Sequence, residues 1–235
     1  MLRNSAISNN TTKGILLNSI IAILALFING FGVHLTIKAN IGAAPWDVLN
    51  LGLSNSLGIL YGTASIGVSV AILMIDISIK ESIGLAMFID AIVVGKSVDF
   101  FNYLDFVPTP STLPASIAML FAGLFVIGYT QFFYMKAALG CGPRDTLLVG
   151  LKRHLPKIPI GIISIILLSS ATLIGYLLGG PVGIGTIICA LFQGPIMAFA
   201  FKTLHFDATS IKHENLFQSF AVITTSIRNL RHRQA

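Results

Sequence analysis

Apolar residues form six long stretches separated by short polar breaks. Crossing about 30 Å of hydrocarbon takes roughly 20 mostly apolar residues in a helix. Lys80-Glu81-Ser82 separates the second stretch from the third, and Gly179-Gly180-Pro181 separates the fifth from the sixth. The pattern predicts an all-α, polytopic membrane protein with six transmembrane helices, at residues 15–36, 62–79, 83–101, 114–135, 160–178 and 182–202.

The composition agrees with a protein whose solvent is lipid. Of the 235 residues, 54% are hydrophobic and only 10% are charged, whereas about a quarter of the residues of a soluble domain are charged. The net charge of +6 does not indicate a nucleic-acid surface, because the basic residues are spread between the apolar stretches. The expected partner is therefore the bilayer, with no nucleic acid.

Lysine and arginine residues are distributed very unevenly between the two faces that six crossings define. Thirteen of the 15 lie in the N-terminus, the 80–82 turn, the 136–159 loop and the C-terminal end. The opposite face carries only Lys38, and Lys96 lies within a stretch. The positive-inside rule places both termini in the cytoplasm.

An internal repeat relates the two halves of the chain. A shift of 98 positions aligns residues 26–53 with 124–151 and matches 11 of 28 residues, and a shift of 99 continues the alignment from Gly62 onwards. Each half holds three stretches, so the second half must enter from the opposite face. The chain is predicted to be two inverted three-helix repeats. Its segments are a cytoplasmic N-terminus (1–14), the first repeat (15–101), an external linker (102–113), the second repeat (114–204) and a cytoplasmic amphipathic tail (205–235).

Each repeat also contains a Gly-x-x-Pro-x-Asp motif in a segment too short to span the bilayer. Proline and an acidic residue are typical of a helix start, because proline has no N–H to leave unpaired and a carboxylate complements the helix dipole. The motifs predict two short interfacial or re-entrant helices. Their first turns either line a binding or gating site or simply cap surface helices. The residues concerned are Pro45, Asp47, Pro143, Arg144 and Asp145.

Four further polar residues lie within the third and sixth stretches. Ionisable groups inside a membrane helix are costly and suggest function. We expect Asp90 to face the interior with a role in proton or substrate coupling. Lys96 and Asp99 are three residues apart and are expected to form an intramembrane charge pair. Gln193 is a candidate binding residue, although interhelical hydrogen bonding also explains it.

Neither catalytic nor cofactor chemistry is indicated by the sequence. No Ser-His-Asp order, HExxH or CxxC motif occurs, so we expect neither an enzyme nor a cofactor or metal site. The tail, residues 205–235, has apolar residues at helical spacing and arginines near its end. It is predicted to lie on anionic lipid, or to dock a partner or a second copy of the chain.

The two motifs also carry a family resemblance. Ile41-Gly42-Ala43-Ala44-Pro45-Trp46-Asp47 and Leu139-Gly140-Cys141-Gly142-Pro143-Arg144-Asp145, with Gly183-x-Gly185-Thr186 and Gly194-Pro195, resemble the YczE-like bacterial integral membrane proteins of the broader YitT/YyaS group. The resemblance covers about residues 15–204. It implies a multi-pass protein of the bacterial plasma membrane, and it supplies no settled substrate or catalytic residues.

Two functions fit these features. The first is a small secondary transporter or permease that carries a small metabolite, with an anion as one option, by alternating access. The second is a non-transporting accessory protein that docks or regulates a partner through the 136–159 loop and the tail. A homodimer is compatible with either function.

The inverted topology predicts opposite accessibility for the loops that flank the two motifs. In a variant without Cys141 and Cys189, a membrane-impermeant thiol reagent should label Asn40→Cys in intact cells. It should label Lys157→Cys only after the membrane is opened. Labelling of both cysteines from the same side would contradict the inverted repeat.

Overall fold

The computed structural model describes residues 12–81, 83–137 and 142–206. These ranges contain eight α-helices and no strand. The predicted tail from residue 207 onwards, most of the N-terminal segment 1–14 and Cys141 lie outside the described residues. The helices are α1 (Thr12–Lys38), α2 (Pro45–Leu57), α3 (Tyr61–Ser78), α4 (Leu85–Leu104), α5 (Leu113–Lys136), α6 (Pro143–His154), α7 (Ile160–Leu177) and α8 (Ile184–Thr203).

Five of these helices are long and apolar enough to cross a membrane within the described ranges, namely α1, α3, α5, α7 and α8. Many of their large apolar side chains face outwards; Leu177, for example, is 74% exposed. Water would not favour such a surface, but lipid does. Helix α4 matches the predicted third stretch and has 20 residues. It differs from the other five in carrying Asp90, Lys96 and Asp99.

The two short helices begin at the prolines of the repeated motif. Pro45 is the first residue of α2 and Pro143 is the first residue of α6. The residues before them, Ala44 and Gly142, have extended backbones, as expected for a helix start before proline. With 13 and 12 residues, each helix is only about 20 Å long at 1.5 Å per residue, too short to cross a bilayer.

The two ends of α4 are fixed by different ion pairs. Asp105, just after α4, pairs with Lys38 at the end of α1, and the hydrogen bond from Lys38 lowers the pKa of the Asp105 carboxyl. Glu81, shortly before α4, pairs with Arg153 of α6 at 2.7 Å. A 20-residue helix is about 30 Å long. The two ion pairs therefore lie at opposite ends of the protein.

Helices α1 and α5 pack against each other at the centre. Helix α4 packs on α1, and α8 packs on α5. Helix α2 lies against α3 and α7, while α6 lies against the same two helices. A buried cluster of Ala39, Leu120, Leu124, Cys189 and Ile196 joins α5 to α8.

Helix backbones come close together at several glycines, and two of these contacts join α2 to α7 and α3 to α4. A Cβ at Gly52 of α2 would collide with the carbonyl oxygen of Gly175 of α7. A Cβ at Gly62 of α3 would likewise collide with the carbonyl oxygen of Gly95 of α4. Close approach of this kind is typical of membrane helix interfaces. It holds α2 on α7 and α3 on α4.

Helices α7 and α8 do not make the corresponding contact. A Cβ at Gly161 of α7 or at Gly194 of α8 would meet no atom within 4 Å. These glycines align with Gly62 and Gly95 in the sequence repeat. The glycine pair is thus in contact in the first repeat, whereas the equivalent pair in the second repeat is not.

The glycine contacts predict a large difference between two Gly→Ala variants. Gly52→Ala should destabilise the protein by about 1–3 kcal/mol, because the added methyl group overpacks the α2–α7 contact. Gly67→Ala is the matched control, since Gly67 is also helical but has no atom within 4 Å of an added Cβ. Thermal melting of the purified variants in detergent measures both. Equal melting temperatures would contradict the close backbone contact.

Candidate functional site

A cavity of about 410 Å³ lies among the helices, and all eight helices contribute to its lining. Six of the residues predicted from the sequence line it: Pro45, Asp47, Asp90, Arg144, Asp145 and Gln193. Pro143 begins α6 beside the cavity without lining it. Lys96 and Asp99 also lie elsewhere. Residues far apart in the sequence are therefore brought to one place.

Asp47 is held by a tyrosine from the next helix. The Tyr61 hydroxyl donates a hydrogen bond of 2.7 Å to Asp47 Oδ1, and Asn50 Nδ2 donates to the Tyr61 oxygen at 3.3 Å. All three side chains are buried. Burial raises the pKa of Asp47, while Arg144 and the hydrogen bond from Tyr61 lower it. Asp47 thus joins α2 to α3 rather than capping a surface helix.

Arg144 lies over the ring of Trp46, with 5.2 Å between its guanidinium carbon and the ring centroid. This cation–π contact joins the first turns of α6 and α2. Among the described residues, Arg144 makes no hydrogen bond or ion pair. Its N–H donors therefore remain available to the cavity.

Asp90 and Asp145 lie on the α6 side of the cavity. The Asp90 carboxylate is next to the backbone that opens α6, since a Cβ on Gly142 would lie 3.1 Å from Asp90 Oδ2. Asp145 is in the first turn of α6. Asp145 is exposed and lines the cavity. Within the described ranges neither carboxylate has a hydrogen bond or ion pair, so both remain open to a ligand.

Lys96 and Asp99 lie 3.7 Å apart on α4. Asp99 also accepts a hydrogen bond of 2.8 Å from the backbone N–H of Gly62. That bond ties the start of α3 to α4 beside the Gly62–Gly95 contact. The pair therefore belongs to the α3–α4 interface rather than to the cavity.

Sequence reasoning overlooked two polar residues, Tyr61 and Asp76. No sequence signal singled out Tyr61, whose role depends on a partner in another helix. Asp76 lies within the second predicted stretch, fully buried, and neither carboxylate oxygen has a hydrogen-bond partner in the described part of the chain. The rule that identified Asp90 would have found it. No group of three metal-ligating side chains is found among the residues described.

The hydrogen bond to Asp47 predicts a specific loss of stability in Tyr61→Phe. The change leaves the Asp47 carboxylate and the Asn50 amide without their buried partner, which should cost about 1–3 kcal/mol. Tyr176→Phe is the control, because Tyr176 is 61% exposed and should change stability by less than about 0.5 kcal/mol. Thermal melting of the two variants makes the comparison. A Tyr61→Phe protein as stable as wild type would remove Tyr61 as the support of Asp47.

Comparisons with known proteins give a consistent family assignment. Residues 16–202 match the family described as "Family of unknown function (DUF6198)". The chain is 30% identical over 181 residues to the "Uncharacterized membrane protein YczE" of Bacillus subtilis, covering 74% of this chain and 81% of that protein. It is 29% identical to an "Uncharacterized protein" of Haemophilus influenzae, covering 76% and 81% of the two chains. It is 26% identical to the "Uncharacterized protein YyaS" of Bacillus subtilis, covering 74% and 87%.

No solved structure matches the chain. The relatives confirm the YczE-like resemblance that the Pro-x-Asp motifs indicated. The all-helical fold, the apolar helices and the membrane-protein relative agree with one another. The chain is therefore an all-helical membrane protein that belongs to the DUF6198 family, with YczE and YyaS among its relatives.

Proposed function

We propose that the protein is a small secondary transporter or permease that carries a small metabolite by alternating access. One observation carries the proposal: the starts of the two short helices meet in a cavity that holds four charged side chains and to which every described helix contributes. Binding sites of secondary transporters are built in this way, from interrupted helices at the interface of two repeats.

The helix packing supports two repeats related by a pseudo-twofold axis. The contact of α1 with α4 has a counterpart in α5 with α8, and that of α2 with α3 has one in α6 with α7. The contact of α2 with α7 corresponds to that of α6 with α3. The pseudo-twofold axis would relate α1 to α5, and these two helices pack against each other. In this proposal α4 is the sixth span, and its Asp90 faces the cavity instead of lipid.

The charge distribution supports the orientation. Under the positive-inside rule, the Lys38–Asp105 pair is external and the Arg153–Glu81 pair is cytoplasmic. The two pairs lie at opposite ends of α4, consistent with this assignment. Both termini would then be cytoplasmic.

The unequal glycine contacts support alternating access. Gly62 and Gly95 bring α3 and α4 together in the external half, whereas Gly161 and Gly194 are apart in the cytoplasmic half. In an inverted repeat, exchange of these two arrangements opens the cavity to the other side. The structure then corresponds to an inward-open state.

Asp90 is the proposed coupling residue. Its aligned position in the second repeat is Cys189, which is buried and carries no carboxyl group. Of these two aligned positions, only the one in the first repeat therefore supplies a carboxylate. Gln193 lines the same cavity and would contact the substrate.

Labelling of the cavity from both sides of the membrane tests alternating access without knowledge of the substrate. In the variant without Cys141 and Cys189, Ser164→Cys is a nearly isosteric change in the cavity lining, and the aligned residue Ser65 lines the same cavity. An impermeant thiol reagent should label Ser164→Cys in inverted vesicles and also, through the other state, in intact cells. Gly67→Cys is the control, because Gly67 is exposed on α3 outside the cavity and should be labelled from neither side.

Labelling of Ser164→Cys from one side only would overturn the transporter and favour the accessory protein. In that case deletion of residues 208–235 becomes the informative variant, because it should abolish docking of a partner. The Asn40→Cys and Lys157→Cys proteins verify the sidedness of both preparations.

A further inference from the structure

The cavity presents unpaired charges of both signs. Arg144 supplies a guanidinium, and Asp90 and Asp145 supply two carboxylates. None of the three has a hydrogen bond or ion pair within the described residues, although all three line the same cavity and Asp90 Oδ2 lies beside Gly142 at the start of α6. The three side chains therefore surround one region without neutralising one another directly.

Asp145 is exposed, and Asp90 and Arg144 are partly exposed, so water can solvate all three in the open cavity. A ligand that displaces this water must offer each charged group a partner of opposite charge that also forms hydrogen bonds. Asp47 is different, since it already accepts the hydroxyl of Tyr61. The unfilled requirements are an acceptor for Arg144 and a donor for Asp90 and Asp145.

Simple ions meet only half of this requirement. An anion held by Arg144 would face two carboxylates, and a plain amine beside the carboxylates would face Arg144. A molecule with both groups satisfies all three side chains, because a carboxylate matches the guanidinium and an ammonium donates to carboxylates. The cavity volume of about 410 Å³ lies at the small end of the range of about 300–1,000 Å³ for ligand sites, which suits a single small molecule.

We propose that the ligand of this cavity is a small zwitterion of the amino-acid type, with its carboxylate on Arg144 and its ammonium group between Asp90 and Asp145. The proposal rests on the proposed function and narrows its substrate class. It departs from an anionic substrate, because Asp90 and Asp145 beside Arg144 would repel a ligand that carries only negative charge. Apolar residues such as Val94 and Ile127 line other parts of the cavity and would contact the side chain of the ligand.

Ligand-induced thermal stabilisation of the purified full-length protein tests this class. A ligand that binds the native state raises the melting temperature. The probes are the 20 standard L-amino acids, tested singly, followed for each positive one by its decarboxylated amine and its N-acetyl derivative. We expect at least one amino acid to raise the melting temperature, and both of its derivatives to give a smaller shift at the same concentration.

Charge-removing variants connect the shift to the three residues. Arg144→Gln and Asp145→Asn should each raise the half-maximal concentration of that amino acid about tenfold or more, as expected when a charge-assisted hydrogen bond is lost. Arg153→Gln and Asp105→Asn are matched controls outside the cavity and should leave it unchanged. The melting temperature of each variant without ligand shows whether it is folded. If Asp145→Asn fails to fold, Asp90→Asn replaces it.

Three results would overturn the proposal: no shift with any amino acid, an equal shift with the N-acetyl derivative, or equal affinity in the folded Arg144→Gln variant. The two-sided labelling of Ser164→Cys is independent of ligand identity. Its success together with a failed amino-acid screen would reject the zwitterion and retain the transporter. One-sided labelling with a positive screen would reject transport and retain the binding site.

Discussion

Two helices that begin inside the protein impose the main physical constraint on this fold. The first N–H groups of any helix lack an acceptor within the helix, and leaving them buried without partners is costly. Pro45 and Pro143 each remove one such donor from α2 and α6. The segment before α2 is fixed by the region before α8, where Ala43 N–H donates to the Pro181 carbonyl at 3.2 Å. Neither helix start has a side-chain cap hydrogen bond, and residues of both starts line the cavity.

The positions of the helices and the four charged residues of the cavity lining could be predicted from local sequence. Pro-x-Asp marks the start of both short helices. A polar residue within an apolar stretch, such as Asp90 or Gln193, is expected to face the interior of the protein and not the lipid. The stack of Arg144 on Trp46 could not be predicted. These residues occupy equivalent positions in the sequence repeat, and only the packing of one half on the other brings them face to face.

Asp76 was missed for a different reason. It lies inside an apolar stretch, so the reasoning applied to Asp90 applies to it equally. The sequence repeat does not point to Asp76 either, since the residue aligned with it is Gly175 and not a second carboxylate. Yet Gly175 has a demanding role of its own, since it contacts the α2 backbone closely. An internal repeat therefore identifies the residues that the two halves share. The roles of residues that differ between the halves can be assigned only from the structure.

The most consequential difference between the halves could not be read from the aligned glycines. Gly62 and Gly95 match Gly161 and Gly194, yet only the first pair is in contact, because a helix contact depends on the residues around the glycines as well as on the glycines themselves. One nearby difference between the two repeats gives a physical reason why only Gly62 and Gly95 are in contact. Asp99 binds the Gly62 N–H, whereas its aligned residue is Ala198, which cannot do so. A hydrogen bond to a charged group contributes about 1.5–3 kcal/mol, and about 1.4 kcal/mol changes an equilibrium tenfold. Under alternating access, closure of α3 on α4 is therefore favoured over closure of α7 on α8. The empty transporter would then rest in the state described here, and ligand binding would have to offset that preference.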